Sequence, residues 1–106
     1  MEVLDIKKGN FEQVEGDRLF ELMMEIFGDC EKDGDWCVSE YGAMKPIRVK
    51  VLSRSEMAIE INTVQIPPEQ VLDTMKKRNL FLETATGFTS KQRLKRLKNK
   101  AKKGDL

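Results

Sequence analysis

Residues 67–103 read PPEQVLDTMKKRNLFLETATGFTSKQRLKRLKNKAKK, and this stretch decides the fold because it holds two helices hinged on one glycine. Pro67-Pro68 opens the first helix: its leading residues need no N–H partner, and proline presets φ. Val71, Met75, Arg78, Leu82 and Ala85 then recur at three- and four-residue spacing, flanked by Leu72 and Asn79. They form one amphipathic stripe that predicts a core-facing helix. Gly87 ends it, since glycine tolerates the left-handed turn that closes a helix, and Phe88 is placed to fold back towards Leu82. Thr89 starts a second helix at once. The spacing Thr89-x-x-Gln92 is a capping box, in which each side chain bonds the other residue's backbone N–H. This second helix has only Leu94, Leu97 and Ala101 on its apolar face, and the rest is nearly all cationic.

The net charge of +1 over 106 residues hides a split at the same glycine. Residues 1–87 carry 11 cationic and 17 acidic side chains, a net charge of −6, whereas residues 88–106 carry 8 cations and one acid, a net charge of +7. Such asymmetry points to a basic tail that binds a polyanion or folds back on an acidic body.

Upstream, Val3 to Lys7 reads as a short strand ended by Gly9-Asn10. Asp17 to Phe27 reads as a helix with Leu19, Phe20, Met23, Ile26 and Phe27 on one face and Gly28 as its stop. Trp36 to Glu40 reads as a strand, and Tyr41-Gly42-Ala43-Met44-Lys45-Pro46 as a connection. Ile47, Val49 and Val51 alternate with Arg48 and Lys50, while Met57, Ile59 and Ile61 alternate with Ala58, Glu60 and Asn62. These are two strands with one wet face each, joined by a loop of hairpin length at Ser53–Glu56. Basic residues oppose acidic ones on the wet faces, which suits antiparallel pairing.

The run R-N-L-F-L-E-T-A-T-G-F-T-S-K-Q-R-L-K-R, Arg78 to Arg96, and the segment Tyr41-Gly42-Ala43-Met44-Lys45 resemble the signatures of a small archaeal family of uncharacterised proteins. The resemblance implies a two-layer α/β sandwich with the order strand, helix, several strands, helix. It implies no catalytic or binding residues. With the periodicities, the expectation is an α+β two-layer sandwich over residues 1–87. Its antiparallel sheet carries the helices on one face, and a basic C-terminal helix or tail occupies residues 88–106 and projects from one edge.

The functional signals are few. Counted from Asp29, the run Asp29-Cys30-Glu31-Lys32-Asp33-Gly34 with Glu40 has carboxylates at positions 1, 3, 5 and 12 and glycine at 6, nearly a calcium loop. Position 3 is a glutamate, however, and Tyr41–Pro46 supplies no exiting helix, so the run reads as an acidic turn with Asp33-Gly34 at its tip. Cys30 and Cys37 are separated by six residues in a chain without histidine. This fits neither zinc spacing nor a C-x-x-C redox pair, and ordinary thiols are expected, at least one of them in the core. No nucleophile elbow, P-loop or dinucleotide fingerprint is present, and the commonest general base is missing. The expectation is a non-enzyme without cofactor or metal, placed in the cytoplasm for want of an apolar run of membrane length or a leader pattern.

The basic tail remains as the lead. Lys91, Arg93, Lys95, Arg96, Lys98, Lys100, Lys102 and Lys103 surround a helix with the charge density that binds phosphate backbones. RNA or a ribonucleoprotein is the expected partner, since no helix presents base-reading Asn or Gln. The rival is an acidic protein surface, on a partner or a second copy. The apolar face is too thin for a membrane.

Overall fold

The computed structural model describes residues 2–104, with side chains for residues 2–98. Five strands, β1 (Glu2–Asp5), β2 (Glu31–Asp33), β3 (Trp36–Tyr41), β4 (Met44–Ser53) and β5 (Glu56–Thr63), form one sheet; the helices are α1 (Arg18–Phe27), α2 (Pro68–Thr86) and α3 (Ser90–Gly104). The strand order is β1-β5-β4-β3-β2, antiparallel throughout. β2 to β5 form a meander through tight turns, while β1 joins the far edge beside β5. The connection from β1 to β2 must therefore cross four strand spacings, about 19 Å. α1, about 15 Å long, lies within it.

The period-two alternation sorts the sheet residues as the sequence predicts except at Ala58, which is fully buried on the face expected to be wet, between Val3 of β1 and Lys50 of β4. Ile47, Val49, Met57 and Ile59 are buried on the inner face with Cys37 and Ser39. They pack with Leu19, Met23, Ile26 and Phe27 of α1 and Phe81, Leu82 and Ala85 of α2 in one core. The Phe27 ring centroid lies 5.4 Å from that of Phe81 and 5.8 Å from that of Tyr41. Burying side chains of this size contributes about 1.5–3 kcal/mol each. The fold is thus an α+β fold whose helices pack against the sheet.

Three local readings differ from the structure. Glu31–Asp33 is a strand, paired with Trp36–Val38, and its turn residues are Gly34-Asp35 rather than Asp33-Gly34. An exposed three-residue edge strand has no apolar alternation to reveal it. The connection Tyr41–Pro46 shrinks to the two residues Gly42-Ala43, because Met44 already belongs to β4. Pro46 is tolerated there because the register shifts between Met44 and Ile47, so the ladder asks no N–H of it. The stripe on α2 is buried only in its C-terminal half. Leu82 and Ala85 are in the core, but Val71 is 37% and Met75 50% exposed, and Thr74 takes the inward position in their stead.

Thr74 shows why. Its hydroxyl accepts the Ala43 N–H (3.2 Å) and donates to the Gln70 carbonyl (3.0 Å). The Tyr41 hydroxyl donates to the Asp73 carboxylate, which holds the phenol above its usual pKa, because ionisation would sacrifice that bond. The β3–β4 turn is therefore clamped to α2 by polar groups. Gly42 makes the clamp possible: its φ is +53°, and a Cβ there would lie 1.9 Å from Thr74 Oγ1.

Candidate nucleic-acid interface

The interface begins at the joint that aims α3. Gly87 has φ +79° and its N–H bonds the Glu83 carbonyl at 2.8 Å, the left-handed helix end expected from sequence. The last carbonyls of α2 would be orphaned there. Asn10 supplies donors, its Nδ2 bonding the carbonyls of Thr84 (3.0 Å) and Ala85 (2.8 Å), and the Lys7 N–H bonds that of Thr86 at 2.7 Å. A Cβ on Gly87 would come within 3.0 Å of both Asn10 and Lys7. The N-terminal segment thus fixes the direction in which the basic helix leaves.

The capping box is present as read. The Thr89 N–H donates to Gln92 Oε1 (2.9 Å), and the Gln92 N–H donates to Thr89 Oγ1 (3.2 Å). Beyond it, α3 does not stand away from the body. Arg96 donates through Nε and Nη2 to Asp5 Oδ2, each at 2.9 Å, and its guanidinium stacks 4.5 Å from the Phe88 ring centroid. Phe88 lines a small cavity with Val3, Leu4 and Leu97, so its anchoring surface is the edge strand β1. Arg93 is half-buried, donating to the Phe88 carbonyl (2.5 Å) and to Asn79 Oδ1 (3.4 Å). Burial, then the nearby positive charge of Arg78, lowers the pKa of Arg93.

The eight cations of the tail therefore separate. Arg93 and Arg96 dock the helix. Lys91, Lys95 and Lys98 are exposed and have no hydrogen-bond or ion-pair partner among the described residues. At about 100° per residue these three lysines share one side of α3, on average about a quarter of a turn from Leu94 and Leu97, with Leu94 bordering them. The side chains of Lys100, Lys102 and Lys103 lie outside the described residues. Sequence reasoning counted charge but missed Asp5 and Asn10, on a strand and a loop about eighty residues away, and it directed Phe88 to Leu82 whereas Phe88 lines the cavity beside β1. The charge split itself was the only signal that the tail had somewhere acidic to go.

Elsewhere the charged groups pair locally. On the outer sheet face Arg48 bonds Asp33 (3.3 Å) and pairs with Glu60 (3.7 Å), its register partner on β5. Trp36 lies there too, with the cations of Arg48 and Lys50 at 5.1 and 5.7 Å from its ring. The aromatic surface that sequence did not place on this face is thus already occupied. The Asp29–Glu40 run is a hairpin start: Asp29 accepts the Glu40 N–H and the Ser39 hydroxyl, and Lys32 pairs with Asp17 at 2.7 Å. Glu31 and Asp33, two residues apart on β2, share the outer face, where Asp33 is taken by Arg48, and no group of three acids or thiols converges on a metal-sized space among the described residues. Cys30 and Cys37 are both buried free thiols, and burial first, then Cys30, pushes the Cys37 thiol up to about 11. No described helix is long and apolar enough to cross a membrane.

Among known proteins, residues 1–99 match the model of a family described as Domain of unknown function (DUF5611). No curated protein and no solved structure gives a significant match.

Proposed function

We propose, from the premise that this chain belongs to the family of the domain of unknown function DUF5611, that it is a non-catalytic cytoplasmic protein that holds RNA phosphates on the lysine side of α3. One observation carries the reading: Lys91, Lys95 and Lys98 share an exposed side of a helix whose arginines are spent on docking. A rigid row of lysines meets phosphates without ordering a free tail first, which lowers the entropy cost of binding. The contact reads no bases, so affinity is weak, sequence-blind and salt-dependent. Lys100, Lys102 and Lys103 continue the same run in sequence. The acidic body repels the ligand from every other side.

Binding of single-stranded RNA at low salt tests this. Replacing Lys91, Lys95 and Lys98 together by Gln should lower affinity at least about tenfold and reduce the logarithmic salt slope by about 2, at about 0.7 per phosphate contact. Lys45→Gln, on the body, should change neither. Binding indifferent to the triple substitution would move the site to the sheet. Absence of binding to any RNA or DNA would turn the reading towards a protein partner.

A further inference from the structure

The side of α3 away from its lysines borders a different surface. Between α2, α3 and the inner face of β1 and β5 runs a groove of about 550 Å3, continued by one of about 300 Å3. Both parts are lined by Glu2, Ile59 and Arg78, with Ile61 and Met44 in the first and Leu82, Leu94 and Leu97 in the second. α1 packs over β3 and against α2, so the groove floor is only narrowly accessible at Ile59 and Met44, and Leu4 and Ile61 are partly exposed.

Three observations bear on what belongs there. First, Arg78 and Leu82 line the groove, and Val71 and Met75, outside its lining, share their face of α2 and extend it as exposed apolar surface, 37% and 50% accessible. Second, Leu94 and Leu97 on the opposite wall are 54% and 52% exposed although they are the apolar residues of their helix. Third, Arg78 is half-buried in the groove without a hydrogen-bond or ion-pair partner among the described residues, and the half-buried Arg93 lines the same space. Of the two acids in the lining, Glu60 is paired with Arg48 and Glu2 forms no ion pair with either arginine among the described residues. Two guanidiniums flanked by apolar walls are complementary to a carboxylate flanked by apolar side chains.

We propose that this groove docks an amphipathic helix of a partner protein, with leucine-like anchors at i, i+4 and i+7 against Val71, Met75, Leu94 and Leu97, and a central Asp or Glu on Arg78. Two flanking helices and a strand floor are the geometry of helix-in-groove recognition. Val71 to Leu82 rises about 16 Å, so the docked helix has about 12 residues. A second copy set groove to groove brings two arginines and, as its one unpaired carboxylate, Glu2 at the rim rather than at the centre, which disfavours that occupant. The inference stands apart from RNA binding, because Lys91, Lys95 and Lys98 line neither part of the groove.

The probe is a lactam-bridged helical peptide of about 12 residues with leucines at i, i+4, i+7 and i+11 and two central glutamates, added to the full chain with methyl resonances observed. The expected result is perturbation of the Val71, Met75, Ile59, Leu94 and Leu97 methyls. Arg78→Gln and, independently, Met75→Glu at a half-exposed site should each weaken binding at least about tenfold, with RNA binding unaltered. The peptide with Gln for Glu should also bind at least about tenfold more weakly. Equal binding of the two peptides, perturbation on another face, or no perturbation at about 1 mM peptide would overturn the proposal. So would dimerisation of the chain that shields these methyls without peptide, or an RNA oligonucleotide that perturbs them itself.

Discussion

α1 and α3 both present a short amphipathic helix to the same sheet, and they are held by different forces. α1 places Leu19, Met23, Ile26 and Phe27 in the core, and all four are buried. α3 leaves its two described leucines half-exposed and is tethered by Arg93 and Arg96 to an amide, a carbonyl, an aromatic ring and one aspartate. Apolar burial is non-directional and indifferent to salt, whereas charge-assisted contacts weaken as salt rises. The first helix is therefore part of the fold, and the second is an attachment whose strength depends on its surroundings.

Breaking the α1 side should cost most. Phe81, fully buried against Phe27, should lose about 3–5 kcal/mol on replacement by Ala, whereas Leu97→Ala on the other side should lose less than about 1 kcal/mol. Urea unfolding midpoints of the two variants compare the halves directly, and equal losses would erase the distinction.

Gly42→Ala comes next, at about 2–3 kcal/mol, because a positive φ and a collision with Thr74 act together. In a Thr74→Ala background the collision with Oγ1 disappears, and the backbone strain and a 3.1 Å approach to the remaining Cβ are left, so the cost should fall. The same cost in both backgrounds would show that Thr74 does not press on the turn.

The third test uses the buried thiol on the α1 side. The Cys37 pKa is raised from 9.0 to about 11, so the folded state keeps its proton where the unfolded chain has lost it. Its contribution is complete below pH 9 and is lost as pH rises through 11, on the order of 1–2 kcal/mol. Stability followed across that window should fall more steeply for the native chain than for Cys37→Ala. Parallel curves would mean that the thiol is hydrated.

Least should follow from removing α3. A chain ending at Gly87 should unfold cooperatively with a loss on the order of 1 kcal/mol, and Arg96→Gln should cost less, the difference shrinking in high salt. A truncated chain that fails to fold would make α3 as integral as α1.

What the sequence disclosed follows the same division. Alternation in β4 and β5, the α1 face, both glycine stops and the Thr89–Gln92 capping box were legible because each is a local pattern with a local cause. β2 was not, since Glu31-Lys32-Asp33 is wet on both faces and is a strand only through its pairing with Trp36–Val38. The α2 stripe misled at Val71 and Met75, because periodicity says which residues share a face and not whether anything covers it. At the candidate interface the cations were countable, but their sorting was hidden. Arg93 and Arg96 differ from Lys91, Lys95 and Lys98 through Asn79, Phe88 and Asp5, and the Asp5 contact exists only once the sheet has brought β1 beside β5.

That last pairing has a consequence for how the chain is assembled. β2 to β5 connect through turns of two residues and can zip together as each strand follows the last. β1, made first, has no sheet partner until β5, as Glu2 pairs with Ile59. Loop closure over so long a separation is slow relative to hairpin formation, so β1 is the late strand. Until it arrives, β5 is an open border able to accept the β1 of another molecule, and α3 has no Asp5 to hold. Strand exchange between copies is therefore the characteristic misassembly of this topology, favoured by concentration and by any change that delays the first five residues.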